Sequence, residues 1–148
     1  IDAYPNSRNV IPGRTFITVD FRHPDDNVLS QMDRTLRDSV ADICHKSGLE
    51  YELEQIFYYA PVPFDKGCIS AVRAGADKMG YSAREIVTGA GHDACFIAQA
   101  APTSMIFIPC IDGISHNEIE DIKPEWATAG ANVMLQAILE KSGVSEQP

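Results

Sequence analysis

The stretch TSMIFIPCIDGISHNEIE, residues 103–120, decides how the chain is read. Residues 105–108 form an unbroken apolar run, the pattern of a strand buried on both faces. Pro109 stops it, and a polar turn with Asp112 and Gly113 follows. A single histidine, His116, then sits among Ser115, Asn117, Glu118 and Glu120. α/β proteins place ligands and metals where strand ends spill into glycine-containing polar loops. His116 therefore has both the residue type and the position of a metal ligand. Glu118 and Glu120 are candidates for orienting it, although acidic residues before a helix also simply suit its dipole.

Working outward, Pro124 opens a helix at its favoured first turn. Trp126, Val133, Leu135, Ala137 and Ile138 supply the apolar residues of that helix. Upstream, Gly89-Ala90-Gly91-His92-Asp93 is a glycine-rich turn leading into a short helix over 94–99. Its glycines let a backbone approach a ligand, and the following amides suit an anionic group. His92 reads equally well as a substrate donor or as a structural histidine. Ile69, Val72, Ala76 and Met79 predict a helix ended by Gly80. The second half thus reads as the end of a larger doubly wound sheet, with a boundary near residues 61–65.

The first half has another texture. Residues 15–22 alternate, with Ile17, Val19 and Phe21 on one face, and predict a half-buried strand. Asp25 or Asp26 caps the helix that follows, Leu29, Met32, Leu36, Val40 and Ile43 form its stripe, and Gly48 closes it. Residues 51–59 alternate again and predict a second strand, ended by Pro61 and Pro63. Residues 1–62 therefore read as an open α/β sandwich fragment. Arg22 lies on the polar face of the first strand; its guanidinium suits a carboxylate bidentately, while an ion pair with Asp20 is the plainer reading. Asn9 sits in turn chemistry. His23 and His45 read as surface residues, and residues 142–148 as a polar tail.

Composition narrows the function classes. At 45% hydrophobic and 22% charged the chain is globular rather than disordered. Twelve Lys and Arg are outnumbered by twenty-one carboxylates and form no basic stripe, so nucleic acid is not an expected partner. No run approaches the ~20 apolar residues that span a bilayer, so no membrane is expected either. The opening residues do not have the pattern of a secretory leader, so none is expected. Cys44, Cys68, Cys95 and Cys110 are widely spaced without a CxxC, which predicts buried thiols in a reducing cytoplasm. The first residue is Ile1 rather than Met, so an upstream part is expected. Ligand counting agrees: a hydrolytic site needs about three protein ligands and a two-metal site about five. With four histidines and no HxxxH or HxxE pairing, the chain is expected to contribute to a site, not to complete one.

PNSRNVIPG (5–13), TVDFRHPDD (18–26), PVPFD (61–65), TGAGHDA (88–94), the PTSMIFIPCIDGISHNEIE segment (102–120) and AGANVMLQAILE (129–140) occur in that order. Together they resemble the C-terminal part of the N-carbamoyl-L-amino-acid hydrolases, in the hydantoinase/carbamoylase group of the M20 metallopeptidase clan. The resemblance implies a two-domain metallohydrolase, with residues 1–62 the C-terminal part of a lid and dimerisation domain. Residues 63–148 would be the C-terminal part of the catalytic domain. It implies two divalent metal ions (Mn, Zn, Co or Ni), with His116 as the last metal ligand. It further implies that Asn9 and Arg22 bind the substrate carboxylate, serving the partner's site in a homodimer, and that Gly91 contacts the same carboxylate with His92 beside it. The other ligands and the catalytic glutamate of the resembled enzymes lie upstream, so no catalytic residue is expected here and the isolated chain should be inactive. The substrate would be an N-carbamoyl amino acid. Allantoate amidohydrolases and β-ureidopropionases remain alternatives, as does an inert dimerisation fragment.

Overall fold

The computed structural model describes residues 1–143; most of the polar tail, 144–148, lies outside the described residues. The chain divides into two compact units, Ile1–Pro61 and a second beginning at Val62.

In the first unit, β1 (Asp2–Tyr4) pairs antiparallel with β2 (Arg14–Phe16), in the register Asp2↔Phe16, Ala3↔Thr15 and Tyr4↔Arg14. The Gly13 N–H donates to the Tyr4 carbonyl at 2.8 Å, and the Arg14 guanidinium stacks 4.5 Å from the Tyr4 ring centroid. Helix α1 (Asp26–Ser47) begins where capping chemistry places it: the Asp25 carboxylate accepts from the Asn27 and Val28 N–H groups. It ends at Gly48, whose φ of 68° returns the chain so that the Leu49 N–H donates to the Cys44 carbonyl at 2.9 Å. Leu29, Met32, Leu36 and Val40 are half-buried, whereas Ile43 at the end of the stripe is exposed. The Tyr58 hydroxyl donates to Asp26 and ties the segment after α1 to its first turn.

In the second unit, α2 (Lys66–Lys78) is capped by Asp65, whose carboxylate accepts from the Cys68 N–H at 2.7 Å. The Asp65 N–H in turn donates to the Thr103 carbonyl, at the start of the apolar run. The short helix α3 (Ala94–Ile97) and a 3₁₀ turn (Ile111–Gly113) precede α4 (Pro124–Ser142), with Pro124 in its first turn. Helices α2 and α4 pack together. The buried apolar side chains among the described residues are Ala71, Ala76, Val133 and Ala137. Close approach explains the small sizes. A Cβ at Gly75 would stand 3.1 Å from the Val133 carbonyl oxygen, and one at Gly130 only 2.6 Å from Ile108 Cγ2. The periodicity marks Ala76 for this interface but misses Ala71 and Gly75, because small residues carry little hydropathy signal.

Of the three expected strands, only the start of 15–22 forms a ladder, as part of β2. Among the described residues, 17–22, 51–59 and 105–108 are not assigned to any strand. Alternation and apolar runs encode which faces are to be buried, but a strand exists only where a neighbour takes its hydrogen bonds. In 51–59 the faces are bare: Ile56 is 82% exposed and Phe57 76%. The cysteines are half-buried and unpaired rather than fully buried. Among the described residues no helix is long and apolar enough to cross a membrane.

Candidate metal and substrate-binding loops

The apolar run delivers the chain into a closed loop. The Ile111 N–H donates to the Asp121 carbonyl at 2.8 Å, so the residues between leave and return at one root. Inside it the backbone turns sharply: Asp112 has φ 55°, Gly113 69° and His116 59°. A left-handed conformation at a residue with a Cβ costs roughly 1–2 kcal/mol, so something local must hold His116 there. Glu120 does so. Its Oε2 accepts the His116 backbone N–H at 2.8 Å, and its own N–H donates to the Asn117 carbonyl at 3.0 Å. The Asn117 side chain accepts from the Ile119 N–H at 3.1 Å. The Cys110 thiol points at the other oxygen of Glu120, Sγ to Oε1 3.7 Å. Partial burial, then the nearby Glu120 carboxylate, push that thiol up from its ordinary range.

The His116 side chain itself is exposed and takes part in no hydrogen bond among the described residues. An imidazole so placed fits one coordination position of a zinc- or manganese-type ion. Among the described residues no three His, Cys, Asp or Glu gather into a cluster that could hold a metal ion.

The glycine-rich turn is built around its threonine. Thr88 Oγ1 accepts the Ala90 N–H at 3.1 Å and shares a hydrogen bond with His92 Nε2 at 3.2 Å. The half-buried His92 ring stands edge-on to Phe107, centroids 5.5 Å apart at 63°. One ring nitrogen is thus occupied and the ring plane is set from the same apolar run that leads to His116. Gly91 is exposed, with open space where a Cβ would be. α3 has only four residues and no side-chain cap, so it offers little dipole for the anion that the turn had predicted there.

In the first unit, Arg22 takes the plainer of its two readings. Its Nε lies 3.1 and 3.2 Å from the Asp20 carboxylate oxygens, and one terminal nitrogen 2.6 Å from Oδ2. The guanidinium holds Asp20 below the usual carboxylate range. Both side chains are more than 60% exposed, so water screens the pair and another carboxylate can compete for the fork. Asn9 is exposed in its turn, its N–H directed to Ser7 Oγ at 3.5 Å. Asn9 and Arg22 thus belong to one unit, and Gly91, His92 and His116 to the other. Thr88, Phe107 and Glu120 are the contributors that sequence reasoning left without a role or only weighed. A hydroxyl four residues before a histidine, and a carboxylate four after one, were the available signals.

Comparison with known proteins gives a consistent picture. The sequence pattern described as peptidase family M20/M25/M40 matches residues 5–140. An N-carbamoyl-L-amino-acid amidohydrolase of Rhizobium meliloti is 46% identical over 96% of the chain, and an allantoate amidohydrolase of Bacillus subtilis 37% identical over 81%. Among solved structures, a hydantoinase/carbamoylase family amidase from Burkholderia multivorans superposes with a TM-score of 0.92, at 66% identity over 95% of the chain. The match takes in 34% of the Rhizobium protein, 29% of the Bacillus protein and 34% of the Burkholderia structure. The chain therefore spans about a third of the length of these relatives, and its fold is the corresponding part of theirs.

Proposed function

The chain belongs to peptidase family M20/M25/M40, and from that premise we propose that it forms the C-terminal part of a metal-dependent amidohydrolase acting on N-carbamoyl-L-amino acids. The observation that carries the reading is His116, an unengaged imidazole held at the tip of a hydrogen-bonded loop. In this reading residues 1–62 belong to a lid that makes a homodimer, and 63–148 to the catalytic domain. His116 holds one of two divalent ions (Mn, Zn, Co or Ni), with the remaining ligands and the general base on upstream segments. When bound, such ions polarise the ureido carbonyl and acidify a water. Arg22 exchanges Asp20 for the substrate carboxylate, and its planar fork fixes the orientation of that carboxylate. Asn9 adds a donor to that grip, the two lid residues serving the partner's site in the homodimer; in the catalytic part the Gly91 amide is the donor to a substrate carboxylate, with His92, its ring set by Thr88 and Phe107, beside it. Water adds to the ureido carbon and its C–N bonds break, so that one substrate and one water give amino acid, carbon dioxide and ammonia. The four free thiols suit a cytoplasmic setting.

The Bacillus relative favours a second reading, hydrolysis of allantoate, whose carboxylate the same residues would grip. A panel of N-carbamoyl-L-amino acids and allantoate, run on the complete gene product loaded with Mn²⁺, separates them. The proposal expects N-carbamoyl substrates to be preferred. It fails if neither class is hydrolysed with Mn²⁺, Zn²⁺, Co²⁺ or Ni²⁺, the outcome that an inert dimerisation module would give.

A further inference from the structure

Resting on the metal-binding reading of His116, we propose that Glu120 is the positioning residue of that ligand, acting through the backbone rather than through its charge. Three observations meet at its carboxylate. Oε2 accepts the N–H of His116, the residue whose φ of 59° is otherwise unfavourable. Oε1 receives the Cys110 thiol, at the end of the loop nearer the apolar run. The Glu120 N–H is itself anchored on the Asn117 carbonyl, one residue past the histidine. Glu120 thus spans the loop from root to tip and fixes the Cα–Cβ direction of His116 while leaving both ring nitrogens untouched. A ligand set that way is oriented before a cation arrives, and the ordering cost of binding is reduced. Glu118 has no such contact among the described residues, although it lies closer in sequence.

The test is Mn²⁺ affinity of the complete gene product, measured by calorimetry on the metal-free protein at one fixed pH. Glu120→Gln keeps an acceptor oxygen at the same reach without charge; Glu120→Asp keeps the charge but withdraws it by one methylene. We expect Glu120→Gln to stay within about threefold of wild type, and Glu120→Asp and Glu120→Ala to bind roughly ten- to a hundredfold more weakly, the usual range for partners that orient a ligand. Glu118→Gln should match wild type. Should Glu120→Ala fail to fold, the Gln and Asp pair still decides. Full affinity in Glu120→Asp with loss in Glu120→Gln would show a through-space charge effect and overturn the inference. Equal affinity in all variants would overturn it while leaving His116 a ligand. A wild-type protein that takes up no Mn²⁺ would remove both.

Discussion

Replacing Gly130 by alanine tests how tightly the apolar run is pressed onto α4. The added methyl would stand 2.6 Å from Ile108 Cγ2, against the roughly 3.5–4.0 Å at which carbon atoms rest. About 1 Å must be found. It cannot come from a flexible side-chain tip, because Cγ2 is fixed to a β-branched carbon with a stiff χ1. Overpacking of this kind costs about 1–3 kcal/mol, while alanine in a helix interior returns up to ~1 kcal/mol over glycine. The expected result is a net loss of up to about 2 kcal/mol, read as a lower urea midpoint at unchanged slope. In an Ile108→Ala background the obstructing methyl is gone, and the same substitution should become stabilising by about 0.5–1 kcal/mol. That reversal of sign is the signature, a coupling between two residues in contact. Stabilisation of the wild-type background by Gly130→Ala, or an equal loss in both backgrounds, would refute the packing described here. Because Ile108 stands two residues before Cys110, at the loop root, Mn²⁺ affinity should fall together with stability.

Other substitutions probe the rest of the site. Arg22→Lys loses the bidentate fork and should lower kcat/KM for N-carbamoyl amino acids roughly ten- to a hundredfold, as expected for hydrogen bonds to a charged group; unchanged steady-state kinetics would remove Arg22 from the substrate site. Thr88→Val leaves His92 without its hydroxyl partner and should cost about fivefold in kcat/KM, the equivalent of one neutral hydrogen bond of ~1 kcal/mol, with the urea midpoint a check on folding. Asp65 supplies a pH test. The Cys68 N–H holds its carboxylate below the ordinary range, so its stabilising effect is complete above about pH 4 and is lost as pH falls through the lowered value. The stability gap between wild type and Asp65→Ala should therefore be open near neutrality and close on acidification; a gap independent of pH would show that the cap is not ionic.

Helix ends were the most legible part of the sequence, because their chemistry is local. Asp25 and Gly48 bracket α1, Gly80 follows α2 and Pro124 opens α4, each by interactions with residues two to five positions away. Strands were legible only as faces: the alternation in 51–59 is real, but its hydrogen-bonding neighbour is not encoded in those residues. The same division runs through the site. The His116 loop announces itself through Gly113 and a polar surround, yet the link from Glu120 to the His116 amide does not, since four residues in a loop have no fixed geometry as they do in a helix. Arg22 shows the opposite case. Its pairing with Asp20, two residues away, was the reading that elementary electrostatics preferred.

The packing of α2 on α4, with Gly75 close to the Val133 and Ala137 backbone and with Ala71, Ala76, Val133 and Ala137 the buried apolar residues among those described, leaves evolution little room to move. Nearly every single replacement at these positions enlarges the side chain, so drift is blocked in one direction with almost no steps available in the other. Such an interface resists gradual remodelling. It can change only by coordinated substitutions on both helices, and laboratory variants with greater stability should arise in the exposed positions around it instead.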